Sequence, residues 1–394
     1  MSKTRNAFAN QPFISQMKLS RLVGKGSKAY GDTSKAIERH EVYPARTFQS
    51  LDELYEALNK EKVDSKVIAS NRFGFLPDGT VAIDGEPVPA YLTFIADLCR
   101  RLGYAETNWS KFNFEKVMDG LHFLLSDRPV PLGVQFRDGK LFSVAQAEGI
   151  NTSFVGLDNG AKVLKTLISK VYSSLSTDAI QFEKNISYDE KGIKVHALDT
   201  SNAFVPEGFE DQGKAESYWH GLKFLLSTRG NMYGRIVSTV QRISCSNSTI
   251  LPLSQFQFVR GDDLVTLING AVTRMTVASK NTQRIGANIA LLARLQMTAQ
   301  AAENFVSSLK APEMQKIKLR SELAPIVDGN GTAYTAFNLV THYATHGISG
   351  DKADAAQTLC GHFLDRGSNV WKGLACNAEN AQTIERFTGK SVAA

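Results

Sequence analysis

Apolar residues fall at three- and four-residue steps in Leu51, Leu54, Tyr55 and Leu58, directly after Ser50. That spacing predicts a helix with Ser50 as its N-cap. Short apolar runs follow at Val67–Ala69, Phe73–Phe75 and Val81–Ile83, separated by Pro77-Asp78-Gly79 and Asp84-Gly85, and read as strands joined by turns. Two amphipathic helices are predicted over Pro89–Leu102 and Ser110–Leu125, the second with Phe114, Met118, Leu121 and Leu125 on one face.

Between about residues 131 and 278 the period shortens to that of strands. Leu132–Phe136 and Leu141–Val144 flank Arg137-Asp138-Gly139-Lys140, an Asp-Gly hairpin signal. A helix over Ala161–Tyr172 is followed by strands at Ala179–Phe182 and Gly192–Leu198, then by a long hairpin of Tyr218–Ser227 and Met232–Cys245. From Asn281 onward the pattern is helical. Ile285, Ile289, Leu292, Leu295, Ala299, Ala302 and Val306 predict one long helix. Pro312, Pro325 and the cluster Asp328–Gly331 punctuate what comes next. Thr332 caps a helix running to His346, and shorter helices occupy Ala353–Phe363 and Asn377–Phe387.

A helix among antiparallel hairpins indicates an α+β fold, an antiparallel sheet flanked by helices with a helical C-terminal subdomain. The expected division is a flexible basic arm over 1–50, an α+β domain over 51–280 and a helical subdomain over 281–394.

Charge sharpens this division. The net charge is +6, and the first fifty residues account for all of it, with nine basic side chains against three acidic ones. The other 344 residues carry 36 of each sign. A basic leader on a charge-balanced body points to an anionic partner, of which a nucleic-acid backbone is the commonest. Phe8, Phe13 and Tyr30 are interleaved with these cations, a mixture suited to stacking on unpaired bases. If all nine cations engaged single-stranded nucleic acid, the salt slope would approach about −6. No run of eighteen apolar residues is present, and the four cysteines are widely spaced without a C-x-x-C, which suggests reduced thiols in a cytoplasmic protein with no membrane span.

Two stretches carry a resemblance. In one, a strand from Gly234 ends on the turn Ser244-Cys245-Ser246-Asn247; in the other, the helix Thr332–His346 holds Phe337, Asn338, the triplet Leu339-Val340-Thr341 and a terminal His346. In this order the two resemble the phage- and plasmid-encoded family called domain of unknown function 932. The likeness spans about residues 120–350 and turns on Cys245, Asn247, Phe337, Asn338, Thr341 and His346. Leu339 before Val340, and Ser248 in place of a glycine after Asn247, mark a divergent member. The family supplies no activity to carry over. It implies a setting in mobile genetic elements, where replication, recombination and defence evasion are common tasks.

Enzymatic motifs are weak, and an enzyme is disfavoured. Gly389-Lys390-Ser391 has the ending of a phosphate-binding loop, but Ile384 stands where its first glycine belongs. His342 and His346 share a helix face, with Cys360 and His362 following, a spacing compatible with zinc. Tyr343 replaces the glutamate of a zincin, however, and helix-end and core roles account for these side chains. Cys245 at a strand end and the pair Asp262-Asp263 have equally ordinary structural readings. No catalytic residues, metal or cofactor are assigned.

The expected function is sequence-tolerant binding of DNA, single-stranded in preference to duplex, in replication or recombination of a mobile element, with a homo-oligomer laid along the strand. Lys18, Arg21, Lys25 and Lys28 of the leader would neutralise phosphates. Lys223, Arg229, Arg235 and Arg242 on the long hairpin would line a groove, with Tyr233 stacking on bases. Arg235 and Arg242 have opposite strand parity, which argues against one continuous cationic stripe. The alternative is a protein-interaction or host-defence-countering factor without a nucleic-acid site.

Overall fold

A computed structural model describes residues 39–104, 114–147, 180–182, 186–210, 217–226, 234–244, 247–258, 281–308, 313–347, 351–365 and 372–389, with a few single positions between them. Strand β1 (Arg46–Phe48) leads into α1 (Leu51–Lys60), whose first turn is closed by Ser50 accepting the Glu53 amide. Three short strands, β3 (Phe73–Phe75), β4 (Val81–Ile83) and β5 (Glu86–Pro87), follow β2 (Val63–Ala69) and form a small antiparallel sheet. Helices α2 (Leu92–Leu102) and α3 (Phe114–Asp127) come next. The hairpin of β6 (Pro131–Arg137) and β7 (Lys140–Gln146) turns on Asp138 and Gly139, both with positive φ, as an Asp-Gly turn requires. With β2 at one edge, it makes a three-stranded antiparallel sheet in the order β2-β6-β7.

The large sheet contains β8 (Ile180–Phe182), β9 (Ile186–Asp189), β10 (Gly192–Phe204), β11 (Tyr218–Leu226), β12 (Gly234–Arg242) and β13 (Ser248–Phe258). Its order is β1-β9-β10-β11-β12-β13, with β8 also paired to β10, and every pairing is antiparallel. The C-terminal part is built from α4 (Thr282–Arg294), α5 (Ala299–Ser308), α6 (Glu313–Asp328), α7 (Ala333–His342), α8 (Asp351–Asp365) and α9 (Ala378–Thr388). Antiparallel sheets with helices concentrated towards the C-terminus make this an α+β protein. Among the described residues no helix is long and apolar enough to cross a membrane.

Among the described residues three apolar clusters hold these layers. One lies between the small sheets and α2 and α3, around Phe94, Leu98, Leu121, Leu132 and Val134. A second joins α1 to the large sheet through Leu54, Leu58, Val195, Leu222 and Phe224. The third joins the far part of the large sheet (Tyr218, Val240, Leu251) to the C-terminal helices. The helices from residue 281 onward therefore share a core with the sheet.

The structure corrects the sequence reading in several places. Residues 39–50 belong to the fold and not to an arm: Tyr43 is buried and β1 pairs with β9. The single long helix expected from Ile285 to Val306 is two helices. Between them Leu295 accepts the Ala333 amide, Met297 donates to the Gly331 carbonyl and Thr298 caps α5 through the Ala301 amide. The apolar spacing runs on across the break because Leu295 and Met297 stay in the same core as the flanking helices. Helix α7 starts after Thr332 as expected, but past His342 its last turn widens to a π-turn over Tyr343–Gly347. Five of the described elements were not predicted from the sequence: β1, β5, β9, β13, and α6 with Pro325 inside it. Of the expected helix over 161–172 only Thr166, Ser169 and Lys170 are described, each of them helical; the rest lies outside the described residues.

Candidate functional site

The long hairpin is the first place to look for an anion groove. β11 and β12 pair without a register shift from Tyr218↔Arg242 to Leu225↔Arg235. Side chains therefore alternate between the two faces of the sheet along this stretch. The face of Tyr218, Leu222 and Phe224 is core. Tyr218 shares a 2.7 Å hydrogen bond with the Tyr334 hydroxyl of α7. Lys223, on the other face, lies opposite His196 and Val237. Its ammonium donates to Asp354 of α8 at 2.6 Å, and both side chains are largely covered (20% and 12% exposed). An ion pair this sheltered is strongly coupled, so Lys223 is committed to holding α8. Arg242 is half-buried beside Tyr218, its amide donating to the Asn247 carbonyl. Lys18, Arg21, Lys25, Lys28, Arg229 and Tyr233 lie outside the described residues, as do Cys245 and the Asp262-Asp263 pair.

The two stretches that carry the family resemblance meet in space. Asn247, buried between β12 and β13, points its Nδ2 at the Asn338 carbonyl (3.4 Å) and at Thr341 Oγ1 (3.5 Å) on α7. Thr341 in turn donates to the Asn338 carbonyl at 3.0 Å. These residues form a clasp between sheet and helix, a structural task.

His342 and His346 bring their rings to 4.7 Å between centroids at the exposed end of α7. Cys360 is fully buried in the helical core, and burial pushes its thiol up to about 12, which makes it a poor thiolate donor. Among the described residues no three His, Cys, Asp or Glu side chains are grouped to hold a metal.

Sequence reasoning missed a buried cluster of charged groups and phenols. Arg137, at the end of β6, is completely buried and stacks its guanidinium 3.6 Å from the Phe142 ring centre. Its Nη1 donates to Tyr188 and, at 3.0 Å, to Tyr43. Glu61, just past α1, accepts from Tyr43, from Tyr188 at 2.9 Å and from Arg46 at 3.2 Å. Arg46 also donates to Tyr43 at 2.7 Å. Burial holds both phenols above their usual range, Tyr188 well above it, so both are neutral donors at physiological pH. The cluster ties β1, α1, β6 and β9 together. Its five members lie between residues 43 and 188 and leave no local motif, so no sequence pattern announces them.

The described cations are repeatedly matched by carboxylates. Besides the pairs above, Arg39 meets Asp78, Arg72 meets Asp84, Lys140 meets Glu41, and Arg320 meets both Glu303 and Glu313. Comparison of the chain with protein-family models, with curated proteins and with solved structures finds no match to any of the three.

Proposed function

We propose that the protein binds single-stranded DNA through the cations of residues 1–38, in replication or recombination of a phage or other mobile element and in the cytoplasm of its host. One observation carries the reading: positive charge is segregated. Arg39 and Arg46, counted with the basic leader by sequence, are paired with Asp78 and Glu61 in the fold. Lys223, expected in the groove, is paired with Asp354. That leaves Lys3, Arg5, Lys18, Arg21, Lys25, Lys28 and Lys35 against Asp32 and Glu38, a surplus of five in 38 residues. Such a density attracts a polyphosphate, and the aromatic residues among these cations suit unpaired bases.

Titrating a labelled oligothymidine at several salt concentrations tests this. Seven cations limit the slope of log K against log salt to about −5. Replacing Lys18, Arg21, Lys25 and Lys28 by Gln is expected to flatten it by about 3, whereas Lys223→Gln leaves it unchanged. Absent binding, or binding indifferent to salt, refutes the proposal.

A further inference from the structure

Among the described residues strand β2 has a partner on one side only, β6. The bonds at the two ends of this pairing set its parity. Asp138 donates to the Lys62 carbonyl, and Ser70 donates to the Val130 carbonyl, so even-numbered residues direct their backbone groups toward β6. The odd-numbered Val63, Ser65 and Val67 therefore direct theirs outward. Asp64 to Val67 are all exposed, Val67 by 53%. On the open edge the Ser65 amide donates to the carboxylate of Asp64, at 2.8 Å. Asp64 also contacts Lys66 at 3.1 Å, with both side chains about 60% exposed.

We propose that this edge pairs with the same edge of a second copy, antiparallel about a two-fold axis through Ser65. The inference is independent of DNA binding. Its basis is the order of charges along the strand. In the register centred on Ser65, Asp64 of each copy faces Lys66 of the other at a non-hydrogen-bonded site, where side chains approach most closely. Val63 faces Val67, and the outward groups of residues 63, 65 and 67 bond across the axis. Moving the axis one residue either way sets Asp64 against Asp64 or Lys66 against Lys66. Attraction in one register with repulsion in both neighbours specifies a single alignment. An edge of five residues covers little surface, so association in the micromolar to hundred-micromolar range is expected, weakening as salt rises.

Sedimentation velocity on the full chain up to about 100 µM tests the pairing. The unmodified protein shifts from monomer toward dimer with concentration. Lys66→Glu and Asp64→Lys each place like charges opposite one another and raise the dissociation constant at least about tenfold. Mixed in equal amounts the two variants dimerise, because each then faces its opposite, and the charge-swapped D64K/K66E chain dimerises alone. The mixture is informative only through folded chains, so its recovery separates edge pairing from misfolding. A monomer at every concentration, a dimer indifferent to both single reversals, or a mixture that stays monomeric overturns the proposal.

Discussion

Asn380 gives the sharpest test of how the C-terminal part is held. It is 1% exposed and bridges three segments. Its Nδ2 donates to the carbonyls of Gln296 and Leu374, both at 2.8 Å, and its Oδ1 accepts the Gln296 amide at 3.0 Å. Asn380→Ala strands all three backbone groups. Gln296 is only half-buried, so water recovers part of its loss, about 1 kcal/mol per bond; the enclosed Leu374 carbonyl costs about 1–3 kcal/mol, and the sum is about 3–5 kcal/mol. Asn380→Asp keeps the size and the acceptor but sets a carboxylate against two carbonyl oxygens. The folded-state pKa of that group rises above its unfolded value. Its deficit therefore shrinks as pH falls towards the unfolded carboxylate range and is full at neutral pH. Urea unfolding followed by circular dichroism reads the global loss. Hydrogen exchange of the 295–298 segment reads the local one, with protection expected to fall about a hundredfold. An Ala variant within about 0.5 kcal/mol of the parent, with exchange unchanged, refutes the role given to Asn380.

Three further outcomes follow from buried groups. His220, hydrogen-bonded to Thr282 at 2.7 Å and stacked on Phe204, is held by burial down to about 4 against Asp199, which raises it. The unfolded chain therefore binds the extra proton first: stability is full above pH 6.5 and declines toward pH 4 by up to about 3 kcal/mol, and His220→Gln is expected to flatten that part of a pH-dependent unfolding series. Peptide mapping after brief alkylation of the native protein is expected to find Cys376, which is exposed, modified well before the buried Cys99 and Cys360. A methyl group on Gly221 would lie 2.7 Å from Thr239 Oγ1 and 2.9 Å from the Ala197 carbonyl oxygen, under the 2.8 Å His196–Thr239 hydrogen bond. Gly221→Ala is expected to lower thermal stability by about 1–3 kcal/mol, measurable by scanning calorimetry.

Features decided by a few neighbouring residues were legible in the sequence. Ser50, Thr332 and Asn377 each cap the helix expected after them, because a capping side chain answers an amide only three residues away. The Asp138-Gly139 turn was equally plain, since its backbone demands left-handed residues. Features decided at a distance were not. The break at residues 295–298 depends on Gly331, Ala333 and Asn380. Strand β13, with Pro252 and several Ser and Gln positions, takes its place from pairing with β12 and not from its own propensity. Of the candidate site, the segregation of charge was readable by counting. That Lys223 would be claimed by Asp354, 131 positions away, was not.

The buried Arg137 has a consequence for how the chain finds its alignment. Sliding β6 by a single residue against β2 would turn the guanidinium to the opposite side of the sheet and leave Glu61 enclosed without its second cation. Misaligned hairpins of similar greasiness are thereby heavily penalised, so the charge acts as an address label for the strand more than as glue. Arg137→Met is expected to loosen that choice of alignment even where it leaves the packing volume nearly the same.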